Sequence, residues 1–406
     1  MTGSAYALCL ALLFLQTDAD REWQRLDETI QRAIDRGELP GAVVLVLHRG
    51  KVVYRQAHGL RAKQPAAEPM TIDTVFDLAS LTKPVATATS IMLLVERGRL
   101  RSEDRVAQHW PEFGKHGKDR VTVEQLLLHT SGLIADNPET DYRDGKANAL
   151  ERICDLKLAA APGARFTYSD VGYVVLGELV ERVSGSPLEQ FAQKYIFQPL
   201  GMRETTFRPA DPLKKRCAPT EQREGRWMIG EVHDPRAYLL GGVAGHAGLF
   251  STADDLAIFA RMLLGEGKQV LVDKSLQSMT LARPVPNGLR AYGWDVDTRF
   301  SSNRGDLFQV GTSFGHTGFT GTSIWIDPTS HTAVIFLSNR VHPKAGGNIN
   351  RLRGEVATIA ALACGLGRPS STPPLESVKP DCLPEATSCR QTAVSCFWPT
   401  GRRWKR

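Results

Sequence analysis

The chain has 406 residues, 42% of them hydrophobic and 23% charged, with a formal net charge of +6. That is enough for a large core in one or two lobes, and it excludes fibrous and wholly disordered classes. The segment after residue 367 carries seven basic and three acidic residues, so +4 of the +6 belongs to it and the basic balance is no evidence for a nucleic-acid-binding fold.

Residues 6–15 form a short apolar run of signal-peptide type, too short to span a bilayer. No Lys or Arg precedes it, Arg21 being the first, so a buried N-terminal segment is the competing reading. Residues 1–19 are assigned as a possible signal peptide, giving a periplasmic or secreted protein whose only route to a membrane is an uncleaved start. Apolar residues Trp23, Leu26, Ile30 and Ile34 then recur at helical spacing and predict an amphipathic helix over 20–36. The β-branched run 41–47, the turn His48-Arg49-Gly50-Lys51 and the return over 52–57 predict a β-hairpin. A helix is predicted over 79–96, closed by Gly98 in a left-handed cap, and another over 121–129.

Val171, Val174, Val175, Leu179, Val180 and Val183 share one face of a helix over 169–183, after which Pro187 opens a further helix. Ser251 to Asp255 reads as a helix start with an acidic first turn. Strands are predicted over 291–298, 318–326 and 332–338, and a closing helix over 348–364. Strands at both ends with helices between them argue α+β: one antiparallel sheet built from both chain ends, carrying an inserted all-helical lobe. The domain is placed at 20–366, and 367–406 reads as a disordered, basic Pro- and Ser-rich tail. None of the seven cysteines forms a Cys-x-x-Cys pair, so single buried thiols are expected.

Three short motifs carry chemistry. In Ser80-Leu81-Thr82-Lys83, a Ser and a Lys three apart on a helix share a face, and a desolvated Lys can lose its proton and take that of the Ser. Alone, the pattern is equally an N-cap Ser beside an exposed Lys. Tyr168-Ser169-Asp170 at a helix entry can hold a phenol over a pocket as a proton relay, or is simply a capped helix start. Gly315-His316-Thr317-Gly318 before a strand lets a substrate lie close to a strand edge, or is an ordinary turn.

In this order the three motifs resemble the signature of the serine β-lactamase and penicillin-binding-protein superfamily, in the branch of class C β-lactamases, esterases and DD-peptidases. The resemblance runs from about Trp23 to Cys364. It implies Ser80 as nucleophile, Lys83 as its base and Tyr168 as proton relay to the leaving group and helper of the water in deacylation, with Asp170, His316, Thr317, Gly318, Phe319 and His246 binding substrate. It also implies an oxyanion hole from the backbone N–H groups of Ser80 and Phe319. Asp170 stands where relatives often have Asn, and as a carboxylate it only accepts hydrogen bonds. His316 stands where many have Lys, and its charge is expected to hold a substrate carboxylate only below about pH 6.5.

The stretches Val232-His233-Asp234 and 241–248 fall where the family has a loop over the site, and His246 there either reaches the pocket or makes a local hydrogen bond. No His-Glu-x-x-His, Gly-x-Ser-x-Gly elbow or phosphate-binding glycine loop appears, so no metal and no cofactor is expected. The expected function is acyl transfer to water from D-alanyl peptides, β-lactams or small esters. The competing readings are a non-catalytic cell-wall-peptide binder on the same fold and an interaction protein working through its tail. No nucleic-acid partner is expected.

Overall fold

A computed structural model describes residues 17–367. The apolar segment 6–15 and the tail from 368 onward lie outside them. Helix α1 spans Asp18–Asp35, its first turn closed by Thr17 and Asp20 in a capping box. Strands β1 (Gly41–His48) and β2 (Lys51–Ala62) follow as the expected hairpin. Arg49 and Gly50 both take positive φ, the mirror-image turn that matches strand twist.

The main sheet has nine antiparallel strands. With β3 (Glu68–Pro69), β4 (Arg283–Val285), β5 (Gly288–Ala291), β6 (Trp294–Asp297), β7 (Phe314–Thr317), β8 (Ser323–Asp327) and β9 (Thr332–Ser338), the order is β3-β2-β1-β9-β8-β7-β6-β5-β4. The first strand pairs with the last, Ala42 opposite Ser338. Both faces of β1 are covered, which is why it reads as an unbroken apolar run. Ala42, Val44 and Val46 meet α1 and the closing helix (Asn350–Ala363), while Val43, Leu45 and Leu47 face the helical lobe. The α+β architecture expected from the sequence is the one observed.

Four local expectations are corrected. The segment 79–96 is not one regular helix: a tight turn at Ala79–Leu81 passes into a widened turn at Lys83–Ala88, and regular helix α2 occupies only Thr89–Glu96. Pro84 at the start of the widened turn has no N–H for the regular ladder. The strand placed over 318–326 begins only at Ser323, because Gly318 and Gly321 turn the chain between β7 and β8 and the third motif ends β7 instead. The strand placed over 291–298 is a hairpin, β5 and β6, reversing at Gly293 with φ +83°. Pro187, for its part, sits just before the helix Leu188–Ala192 rather than as its first residue.

Helix α3 (Asp170–Ser184) is capped by Ser169 and ends at Gly185 in the left-handed region, and its valine face is buried in the lobe except for half-buried Val183. Cys154, Cys217 and Cys364 are free thiols. Burial pushes the Cys154 thiol up to about 11 and the Cys217 thiol up to about 12, so both stay protonated packing groups.

Candidate active site

The nucleophile turn is strained and braced. Ala79, just before Ser80, takes φ +47°, a conformation a non-glycine residue adopts only when its surroundings impose it. The brace is Asp77: its carboxylate accepts the Ala79 N–H at 2.8 Å and the His233 N–H at 2.7 Å. The third motif buttresses the same turn. Thr320 Oγ1 donates to Asp77 O and Thr322 Oγ1 to Leu78 O, and Arg353 Nη2 donates to the carbonyls of Gly318 and Thr322, both at 2.9 Å. A side chain at Gly318 would begin 2.1 Å from Thr322 Oγ1 and 2.4 Å from Leu78 O, so only glycine lets the two segments close on one another.

Lys83 is fully buried, and its ammonium makes three contacts: Ser80 Oγ at 3.0 Å, the His246 carbonyl at 3.0 Å and Asp170 Oδ1 at 2.6 Å. An ammonium has three protons, so each has a partner. Burial alone would lower its pKa, but the Asp170 carboxylate and Tyr168 outweigh it and hold the group above the ordinary lysine value. This corrects the expectation of a lysine that sheds its proton near neutrality: in the resting site Lys83 is a cation. Asp170, expected to meet a substrate amide, lines the cleft but pairs with Lys83.

Tyr168 is the second expected partner, its phenol lying beside Ser80 and Lys83. Its ring lies 5.0 Å from Lys83 Nζ and 4.5 Å from the buried His129 ring. Burial raises the phenol pKa against the pull of Lys83, so Tyr168 is neutral. His316 is 4% exposed, its Nδ1 donates to Thr317 O at 2.8 Å, and its ring faces Tyr168 at 5.9 Å. Burial, together with nearby Arg290 and Lys83, holds it well below the ordinary histidine value. A charge-switching carboxylate anchor is therefore not what His316 provides, because in this pocket it is neutral throughout the physiological range. It orients Tyr168.

These groups line one cleft of about 780 Å³, with Ser80, Tyr168, Asp170, His246, His316, Thr317, Gly318 and Phe319 all on its wall. His246, which sequence reasoning left between pocket residue and local hydrogen-bonder, is both: it lines the cleft and its Nε2 lies 2.9 Å from Asp234 Oδ1. Asp77, Arg290, Arg340 and Arg353 were not singled out beforehand. Arg290, Arg340 and Arg353 lie far along the chain from Ser80 and Tyr168, so no local spacing marks them, whereas Asp77 stands only three residues before Ser80. A second cavity, of about 830 Å³ between α1, the closing helix and residues 297–306, contains none of the motif residues.

One group among the described residues has the make-up of a cation site: ligand atoms of Asp170, Asp234 and His246 lie within 4.8 Å of one another. Its place for positive charge is already taken, since Asp170 holds the Lys83 ammonium and Asp234 holds the His246 ring.

A serine and a buried lysine in contact, a neutral phenol beside both and a glycine-bearing strand end make up the arrangement that the three motifs lead one to expect. The Beta-lactamase family model matches residues 26–358, and the chain belongs to that family. It is 33% identical over 360 residues to an Escherichia coli (strain K12) protein named "Putative D-alanyl-D-alanine carboxypeptidase", covering 78% of this chain and 82% of that one. A Salmonella typhi protein of the same name is 33% identical over 371 residues, 80% of this chain and 84% of its own. Among solved structures, the octameric penicillin-binding protein homologue from Pyrococcus abyssi has a TM-score of 0.69 at 26% identity, covering 84% of this chain and 77% of that one. The hydrolase EstCE1 has a TM-score of 0.68 at 25% identity, covering 84% and 99%. A class C β-lactamase shares the fold, with a TM-score of 0.71 at 21% identity over 86% and 99%.

Proposed function

We propose that the protein is a serine hydrolase that works through an acyl-Ser80 intermediate, with carboxylate-bearing D-alanyl peptides as its substrate class. β-Lactams and small esters are the other acyl donors such a site accepts. The observation that carries the reading is the buried Lys83 ammonium 3.0 Å from Ser80 Oγ, under a neutral Tyr168. Acylation draws on the fraction of molecules in which Lys83 is the free amine: it takes the Ser80 proton as Oγ attacks the carbonyl carbon, and Tyr168 passes a proton to the leaving group. The N–H groups of Ser80 and Phe319, both residues being on the cleft wall, receive the oxyanion.

The preference for a carboxylate rests on arginines. Arg340 and Arg353 line the cleft beside Phe319, and neither forms an ion pair with a carboxylate among the described residues. Burial pulls Arg353 down to about 9, still a cation at neutral pH. They supply the positive charge that His316 does not. The names of the bacterial relatives point to the same substrate class. We place the enzyme outside the cytoplasm, periplasmic or secreted, on the apolar run at 6–15.

Labelling with a fluorophosphonate or a penicillin, followed by peptide mass spectrometry, tests the nucleophile: the tag belongs on Ser80 and disappears in Ser80→Ala. A tag elsewhere, or one that persists in that variant, overturns the assignment, and no turnover in any arm would mark a binding protein instead. A panel of chromogenic ester, chromogenic cephalosporin and D-Ala-D-Ala peptide ranks the substrates.

A further inference from the structure

We propose that His246 is the general base of the second half-reaction, taking a proton from the water that hydrolyses acyl-Ser80, and that Asp234 positions it. The inference rests on the acyl-enzyme reading above and adds a residue the three motifs do not contain.

The argument begins with tautomers. His246 Nε2 lies 2.9 Å from Asp234 Oδ1, and the same oxygen accepts the Ala237 N–H at 2.8 Å as a helix cap. Burial would raise the Asp234 pKa, but His246, the Ala237 N–H and Lys83 outweigh it and hold the carboxyl well below the usual range. Asp234 is an anion and can only accept, so Nε2 carries the proton. In the neutral ring Nδ1 then presents its lone pair. That Nδ1 is buried in a side chain only 1% exposed, on a residue of the cleft wall, and has no hydrogen-bond partner. A buried acceptor without a partner is the place where a water is bound. A carboxylate, an oriented imidazole and a free ring nitrogen together make the base half of a catalytic triad, here without a serine of its own.

The dyad is tied to the reacting atoms. The His246 carbonyl accepts a proton of Lys83 Nζ at 3.0 Å, and Lys83 in turn lies 3.0 Å from Ser80 Oγ. The loop that carries it is pressed against α3: a Cβ at Gly245 would fall 1.9 Å from Tyr173 O. Thr87 Oγ1 also donates to the Gly245 carbonyl at 2.7 Å. Gly245 thus lets the loop that carries His246 close on α3.

The step balances as follows. A water O–H proton goes to His246 Nδ1 while the water oxygen bonds to the acyl carbon and the carbonyl electrons move onto oxygen. The C–Oγ bond then breaks, and Ser80 Oγ takes a proton from the Lys83 ammonium. The imidazolium proton passes to Lys83 through the pocket, and the carboxylic acid product ionises to solvent. Lys83 and Tyr168 serve the serine oxygen, and the deacylating water, which the resemblance gives to Tyr168, falls to His246.

The test is burst kinetics on the full-length chain with p-nitrophenyl acetate and with a penicillin, read by stopped flow and by intact-protein mass. In His246→Gln the burst keeps close to the wild-type rate, steady-state turnover falls about a hundredfold or more, and the acyl adduct accumulates on Ser80. Asp234→Asn keeps an N-cap residue yet no longer fixes the tautomer, so it shows the same fast burst and slow steady state, to a smaller degree. It also decides the matter should His246→Gln fail to fold. An adduct that clears at the wild-type rate in Asp234→Asn and in folded His246→Gln overturns the proposal and leaves the acyl-enzyme reading standing. Loss of burst and steady state in equal measure also overturns it, since that marks a structural role. Turnover by the wild type without any Ser80 adduct or burst overturns both.

Discussion

Replacing Asp170 by Asn removes the negative charge beside Lys83 while leaving an acceptor of nearly the same shape. Nζ and Oδ1 are 2.6 Å apart, with Lys83 fully buried and the Asp170 side chain 22% exposed. At an effective dielectric of about 20, two unit charges at that separation attract by about 6 kcal/mol before compensation. The asparagine oxygen keeps the hydrogen bond, and the freed space readjusts, so the net fall in the Lys83 pKa is about 1–3 units. The sign follows from the resting state: Lys83 is held above its ordinary value, so the reactive free amine appears only as pH rises through that pKa. Asp170→Asn therefore moves the rising limb of acylation to lower pH. Each unit gives roughly tenfold more free amine at neutral pH, partly offset because a weaker base accepts the Ser80 proton less readily, for a net gain on the order of tenfold. The second-order rate of Ser80 phosphonylation by a fluorophosphonate, taken across pH 5 to 10, isolates this step from deacylation. A limb that stays in place or moves to higher pH would refute the reasoning.

Lys83→Ala should lose on the order of a hundredfold or more in acylation while still binding ligand, by fluorophosphonate kinetics and by calorimetry with a slow substrate. Gly318→Ala places a methyl group against Thr322 Oγ1 and Leu78 O, and should cost about 1–3 kcal/mol in denaturant unfolding along with most of the activity. Arg340→Gln should raise KM for a D-Ala-D-Ala peptide and leave a neutral ester nearly unchanged; equal effects on the two would remove the arginine from carboxylate recognition. His129 and His316 are buried neutral, with folded pKa values well below the unfolded one. The unfolded chain binds more protons below about pH 6.5, so stability falls as pH drops through that point, by up to about 1.4 kcal/mol per unit for each. Thermal melts between pH 7.5 and 5 should show a declining Tm, and a flat profile would count against both burials.

The parts of this molecule that could be read beforehand are those whose cause is local. Ser80 and Lys83 are one turn apart, and Tyr168 stands at a helix entry marked by its own cap, so short-range patterns reveal them. The hairpin of β1 and β2 and the valine face of α3 announce themselves by periodicity. What could not be read is what the fold brings from elsewhere. Nothing near Lys83 in the chain says that Asp170 will close on its ammonium. Nothing near His316 says that Arg290 and deep burial will strip it of charge, which is why a pH-switched anchor looked reasonable there. Thr320 and Thr322, reaching back to the turn before Ser80, join segments that lie more than 240 residues apart in the chain. The Asp234–His246 pair lay between these cases: its loop stood out by composition, but its hydrogen bond did not.

The pairing of β1 with β9 has a consequence for how the enzyme comes into being. Strand β1, inside the sheet, finds its second partner about 300 residues later in the chain. A contact of such sequence separation is slow to form, because the intervening loop must be closed before any pairing is gained. The braces on the nucleophile turn from Thr320, Thr322 and Arg353 arrive equally late. A chain still being synthesised thus holds Ser80 on a turn that lacks these three braces, and the site is complete only after the last strand has docked. The topology is a delay line that leaves the site incomplete until nearly the whole domain has been made.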